Sequence, residues 1–218
     1  MALALFDLDN TLIAGDSDHA WGEFVVAKGL VDGEHFSATN DKFFADYQRG
    51  LLDIHAYLSF ALEPLAKFSP LQLHDLHKEF MIDKINPIKL AKADQIVEQH
   101  RLNGDIIMVI TATNSFVTAP IVESLGIDLL IASEGEIING RYTGKPSGVP
   151  SYKEGKVTRL QQWLDQTGHN LEGSYFYSDS HNDLPLLSIV DNPIAVDPDP
   201  TLRQHALDHD WPILSFRN

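Results

Sequence analysis

Ala2-Leu-Ala-Leu-Phe-Asp-Leu-Asp-Asn-Thr-Leu12 decides how this chain is to be read. Ala2 to Leu8 is short and apolar and runs into acidic residues, as a strand buried on both faces does where it leaves a sheet. Asp7 and Asp9 are two residues apart, so both carboxylates can project into one crevice beyond that strand. One is then placed to act as a nucleophile and the other to handle a proton.

The same pattern recurs along the chain. Asp105 to Thr111 is a second apolar, β-branched run that ends in the polar stretch Thr111-Ala-Thr-Asn-Ser115. Ile127 to Ala132, Ser174 to Ser178 and Pro193 to Val196 complete a set of five expected strands. Helical periodicity falls between them, over Pro87–Leu102, Ser115–Leu125, Glu154–Gln166, Leu184–Val190 and Thr201–Leu207. Strands alternating with helices predict an α/β fold, a parallel sheet covered on both faces, with ligands at the carboxyl ends of its strands. Two segments break the alternation. Residues 15–85 hold amphipathic helical stretches (Ala20–Lys28, Lys42–Arg49, Leu71–Phe80) and no convincing strand, which predicts a helical insertion after the first strand. Ser69-Pro70 reads as a helix start. In Glu134–Tyr152, Ile138-Asn-Gly140 reads as a hairpin turn, followed by a loop through Gly144, Pro146, Gly148 and Pro150.

The 218 residues carry a net charge of −15, a field that repels nucleic acid and anionic membranes as general partners. Cysteine is absent, which excludes thiolate catalysis and cysteine-ligated zinc. The N-terminal apolar run is too short for a signal peptide, and no window reaches the roughly 18 apolar residues of a membrane span. The expectation is a cytoplasmic protein.

Four short motifs fall at expected strand ends or just after them: Asp7-Leu-Asp-Asn-Thr11; Thr111 with the backbone after it, Ala112 included; Lys156 in Lys153-Glu-Gly-Lys-Val157; and Asp179-Ser-His-Asn-Asp183, preceded by Ser178. Hydroxyl and backbone amides suit phosphate oxygens. Crowded carboxylates repel one another unless a cation sits among them, so Asp7, Asp9, Asp179 and Asp183 imply a metal. Mg²⁺ accepts a few hard oxygens of this kind.

These motifs, in this order over residues 7 to 183, resemble those of the haloacid dehalogenase-like superfamily in its phosphoserine-phosphatase-like branch, including bacterial histidinol-phosphatase-type members. The resemblance implies a three-layer Rossmann-like core (residues 1–14 and 86–218) with a small helical cap (15–85). It also implies a Mg²⁺-dependent phosphomonoesterase. Asp7 would form an aspartyl phosphate, and Asp9 would protonate the leaving oxygen and then activate water. Asp7, the Asp9 carbonyl, Asp179 and Asp183 would hold the metal, and Thr111, Ala112 and Lys156 would bind the phosphoryl oxygens. Ser178 departs from the glycine that many relatives have.

Other readings fit less well. An EF-hand needs Gly and Glu where Leu12 and Asp18 stand. Gly140-Arg-Tyr-Thr-Gly-Lys145 is one residue short of a P-loop, and Pro146 stands where its Ser or Thr belongs. His205 and His209 lack an acidic partner arrangement for zinc. A receiver-like phospho-accepting module would lack the Asp7/Asp9 pair. A phosphotransferase using the same intermediate stays open. For the substrate, a small phosphorylated metabolite, residues 14–85 hold twelve acids against six Lys or Arg. Asp16 and Asp18 lie where relatives place an acid that meets an ammonium. Arg49, the segment's one arginine, is the candidate partner for a carboxylate. His181 and Asn182 are expected to face the crevice. The balance favours histidinol phosphate over phosphoserine.

Overall fold

The structure is a computed structural model that describes residues 2–217. Its sheet has seven strands: β1 (Leu3–Phe6), β2 (Ile106–Asn114), β3 (Leu129–Ile138), β4 (Arg141–Ser147), β5 (Tyr175–Ser178), β6 (Asn192–Val196) and β7 (Ile213–Leu214). They lie in the order β4-β3-β2-β1-β5-β6-β7, all parallel except for the antiparallel β3–β4 hairpin. The first strand is therefore central, paired with β2 on one side and β5 on the other. Each of its residues is buried, and they alternate between two apolar clusters. Leu3 and Leu5 join the layer holding Leu160, Leu186 and Leu202, from α7 (Glu154–Thr167), α8 (Leu184–Leu187) and α9 (Pro200–Asp208). Ala4 and Phe6 join the opposite layer, where Phe6 stacks on Tyr177 with centroids 4.6 Å apart. Full burial of such side chains contributes about 1.5–3 kcal/mol each.

The opposite layer includes α5 (Ala91–Leu102) and α6 (Ser115–Ser124), and with them the helices inserted after β1: α1 (Ser17–Ala27), α2 (Gly33–Gln48), α3 (Ile54–Leu62) and α4 (Pro70–Phe80). Trp21 of α1 meets Phe80 edge-on at 5.2 Å and Phe116 of α6 at 5.1 Å. α1 and α4 are thus seated on the same apolar cluster as the sheet. α2 differs, since Asn40 is its one buried residue. It is the lightly packed element, the kind that opens locally at low cost. We propose that residues 15–85 serve as a cap over the carboxyl end of the sheet.

Several elements differ from expectation. α2 begins well before Lys42, and α3 was not foreseen, because its nine residues are largely apolar and show no clean stripe. Arg141–Ser147 is a strand, not a loop. It pairs with β3 at the sheet edge, the place in a sheet where a proline such as Pro146 is tolerated. α5 starts at Ala91 instead of Pro87, since Lys89 bridges Ile13 in extended form. Leu184–Val190 holds a single helical turn. Ser69 does cap α4, with Gln72 closing a capping box. Among the described residues no helix is long and apolar enough to cross a membrane.

Candidate active site

Asp7 leaves β1 with its N–H donating to the Tyr177 carbonyl at 2.9 Å, which points its carboxylate out of the sheet end. Lys156, in the first turn of α7, is 1% exposed and reaches back with Nζ 2.7 Å from Asp7 Oδ1 and 2.7 Å from Asp183 Oδ1. Burial works to strip its proton, but the Asp183 and Asp7 charges outweigh that and hold the ammonium above the ordinary lysine range. Ser178 donates to Asp183 Oδ2 at 2.7 Å, so the serine that departs from the family glycine fixes a site carboxylate. Asp179 lies near this group, its Oδ1 facing the Thr11 hydroxyl at 3.4 Å.

Gly155, just before Lys156, is required by close packing. A Cβ there would come within 2.0 Å of the Pro150 carbonyl oxygen. Gly155→Ala is expected to push α7 off the 150–152 loop at a cost of about 1–3 kcal/mol, lowering Tm by roughly 3–10 °C and displacing Lys156. A thermal melt indistinguishable from wild type would contradict that packing.

Asp9 is held from two sides: the Ser17 N–H donates to Oδ1 at 2.6 Å and Thr113 Oγ1 donates to Oδ2 at 2.8 Å. Thr113 was not singled out in the sequence, yet it stands two residues after Thr111 on one strand face, a period-2 signal that was available. The pairing of β2 with β3 shifts register between Ile110 and Asn114, which takes Thr111–Thr113 out of the regular ladder where they line the crevice. Burial is the main force raising both catalytic candidates to about 7. Asp183 and Asp9 charges add to it at Asp7 against the pull of Lys156, and Asp16 adds to it at Asp9. Asp179 is pushed well up by burial and by Asp7 and Asp183. Three crowded carboxylates (Asp7, Asp179, Asp183) thus share one ammonium. This excess of buried, hard oxygen donors fits a small divalent cation. Among the described residues no three acidic or imidazole groups already converge at metal-ligand spacing, with the Lys156 ammonium bonded to both Asp7 and Asp183.

Over Asp7 and Asp9 lies a cavity of about 40 Å³, roofed by Asn40, Phe43, Phe44 and Tyr47 of α2 with Ile54 and Tyr57 of α3. Asp16 and Asp18 line it, as do Thr111, Ala112 and Thr113. Asp16 caps α1, accepting from the His19 N–H, and burial with the nearby Asp18 charge raises it to about 6. No lysine or arginine is among the lining residues. Tyr47 and Tyr57 were missed in the sequence, although Asn40, Phe43, Phe44 and Tyr47 follow an i, i+3, i+4, i+7 stripe.

Three expected substrate residues lie elsewhere. Arg49 is exposed and turned back on α2, its guanidinium bonded to Asp46 and the Ala45 carbonyl. His181 Nδ1 sits 2.7 Å from Asp199 Oδ2, and its Nε2 faces Gly50. Asn182 donates to the Tyr47 carbonyl at 3.0 Å and accepts from the Tyr152 hydroxyl at 3.1 Å, while Lys153 Nζ donates to the Gly50 carbonyl at 2.8 Å. These groups fasten the end of α2 to the core. Arg49, His181 and Asn182 are not among the residues lining the cavity; Asn182 bonds α2 to the core, and His181 is bonded to Asp199 of the core with its Nε2 beside Gly50.

Comparison with known proteins yields a match to the haloacid dehalogenase-like hydrolase model over residues 4–188. A histidinol-phosphatase of Neisseria meningitidis serogroup C is 48% identical over 99% of both chains. A phosphoserine phosphatase of Mycobacterium tuberculosis is 30% identical over 99% of this chain and 71% of its own. Among solved structures, a protein from Bordetella pertussis Tohama I superposes with a TM-score of 0.92 at 44% identity, covering 99% of this chain and 98% of that one. A substrate-bound phosphoserine phosphatase superposes with a TM-score of 0.71 at 19% identity, covering 99% and 92%, a likeness of fold.

Proposed function

Since the chain belongs to the haloacid dehalogenase-like hydrolases and is a phosphatase of that family, we propose that it hydrolyses histidinol phosphate, with Mg²⁺, through an aspartyl phosphate on Asp7. The observation that carries this choice of substrate is the cavity above Asp7: Asp16 and Asp18 beyond the catalytic pair, aromatic walls, no lysine or arginine, and one histidine, His19, whose Nε2 is already engaged by Asp41 at 2.9 Å. Such a lining attracts a cationic, ring-bearing leaving group and offers a substrate carboxylate no partner. The name of the Neisseria relative agrees with that preference.

In this reading Asp7 attacks phosphorus in line with the leaving oxygen. Asp9, raised to about 7 and oriented by Ser17 and Thr113, holds a proton near neutral pH and gives it to that oxygen, then takes one from the water that cleaves the intermediate. Lys156 and the hydroxyl of Thr111 face the phosphoryl oxygens, with the backbone at Ala112. Asp7, the Asp9 carbonyl, Asp179 and Asp183 would hold Mg²⁺, which when bound neutralises charge on the transferring group. The cavity has room for roughly three waters at 10–15 Å³ each, and in this reading α2 lifts, breaking the contacts of Asn182 and Lys153, to admit the substrate.

Phosphate release from a panel of small phosphoesters tests the substrate. Histidinol phosphate should be preferred over phosphoserine, and Arg49→Ala should leave its kcat/KM nearly intact. Asp16→Asn should lower it about 10- to 150-fold, for a charged hydrogen bond worth roughly 1.5–3 kcal/mol. A preference for phosphoserine together with an Arg49→Ala defect would overturn the assignment.

A further inference from the structure

Asp18 lies in the first turn of α1 and is 5% exposed. Its Oδ1 accepts from Asn114 Nδ2 at 3.2 Å, across the cap–core boundary. Its Oδ2 has no hydrogen-bond partner among the described residues, yet the side chain lines the cavity. A buried acceptor left in that state destabilises the fold, a cost that is retained where a ligand supplies the missing donor. Asn40 Nδ2 is donated to the His19 carbonyl, and the Tyr57 hydroxyl, which comes close enough to pull the Asp18 proton affinity down, makes no hydrogen bond of ordinary geometry with Oδ2. Burial pushes Asp18 up to about 7. Asp16 and Asp18 thus present two separate acceptors, and the aromatic side chains of Phe43, Phe44 and Tyr57 line the same space.

We propose that Asp18 is a specificity-determining residue whose free Oδ2 accepts an N–H from a second nitrogenous group of the substrate, the imidazole ring, while Asp16 meets the ammonium. The proposal rests on the histidinol phosphate reading and deepens it. A planar ring fits between aromatic faces, and a ring N–H directed at a buried carboxylate makes the strong, charge-assisted kind of hydrogen bond. One carboxylate would suffice for an amine alone; a second, held by Asn114 with one oxygen open, distinguishes a substrate with two donors from one with a single donor.

The test compares three phosphoesters with wild type and Asp18→Asn: histidinol phosphate (amine and imidazole), phosphoethanolamine (amine only) and p-nitrophenyl phosphate (neither). Asp18→Asn should reduce kcat/KM for histidinol phosphate by about 10- to 100-fold more than for either of the others, mainly through KM. An equal fall on all three substrates would mean that Asp18 only props the cap, and no fall would mean that it touches nothing; either outcome overturns the proposal. Free L-histidinol provides a readout that does not need histidinol phosphate to be turned over. It should inhibit p-nitrophenyl phosphate hydrolysis competitively, with Ki raised about tenfold or more in Asp18→Asn. If histidinol phosphate is not turned over, the function above fails, and the subsite then stands or falls on that Ki. An unchanged Ki, or no inhibition of wild type, overturns it.

Discussion

Asp7→Asn is expected to leave less than about 1% of wild-type kcat while the protein stays folded. The amide has nearly the volume of the carboxylate, so the packing around β1 is kept, but its nitrogen and oxygen cannot attack phosphorus. The fold should not suffer, because Asp7 sits with Asp179 and Asp183 around a single ammonium and burial already raises it to about 7. Removing one of three mutually repelling charges relieves the cluster, and Lys156 keeps Asp183 as a partner at 2.7 Å. Tm should therefore hold or rise. A phosphate-release assay beside a thermal melt checks both halves. More than about 1% residual turnover in a sample free of wild-type enzyme would sink the covalent route.

The second large effect is loss of the cation. A phosphate dianion approaching Asp7 enters a pocket with one lysine against several carboxylates. Each uncompensated unit-charge pair at 4 Å costs about 4 kcal/mol at an effective dielectric of 20. One such pair alone corresponds to about 10³-fold in rate, so excess chelator should abolish turnover and added Mg²⁺ should restore it. Binding should also be visible without catalysis. At about 100 times Kd a cation stabilises the folded state by about 2.7 kcal/mol, a rise of roughly 5–10 °C in Tm that Asp179→Asn should lose. Undiminished activity in excess chelator, or no thermal shift, would remove the metal from the mechanism.

Asp7, Thr111, Lys156 and Asp183 could be named as candidates from the sequence for a local reason. Each lies near the end of a strand or in the first turn of a helix, and ends of parallel strands face one crevice whatever the details of packing. Ser178 is a partial exception. Its position marks it as a motif neighbour, but only its hydroxyl geometry reveals that it steadies Asp183. The raised proton affinities of Asp7, Asp9 and Asp179 were not readable either, because burial is their leading cause and burial belongs to the assembled molecule.

The cap segment marks where sequence reading stopped. Its helical character follows from composition and from Ser69-Pro70, but the face each helix presents does not. On α2 successive residues turn by about 100°, so once Phe43 and Tyr47 face the cavity, Arg49 lies about 200° from Tyr47, pointing away. That rotation was decided by packing against α1 and the sheet end, and it removed the one carboxylate-binding candidate from the site. His181 and Asn182 moved in meaning for the same cause, since contacts with Gly50 and Tyr47 lie more than 100 residues away in the chain. Sequence alone was enough for the alternation of strands and helices and for Asp7, Asp9 and Lys156 as the candidate nucleophile, proton partner and cation, because strand-end position and spacing are local properties. Only the tertiary structure decided which cap residues see the substrate and which carboxylate oxygen is left open to it, because helix rotation and long-range hydrogen bonds depend on packing that no local spacing encodes.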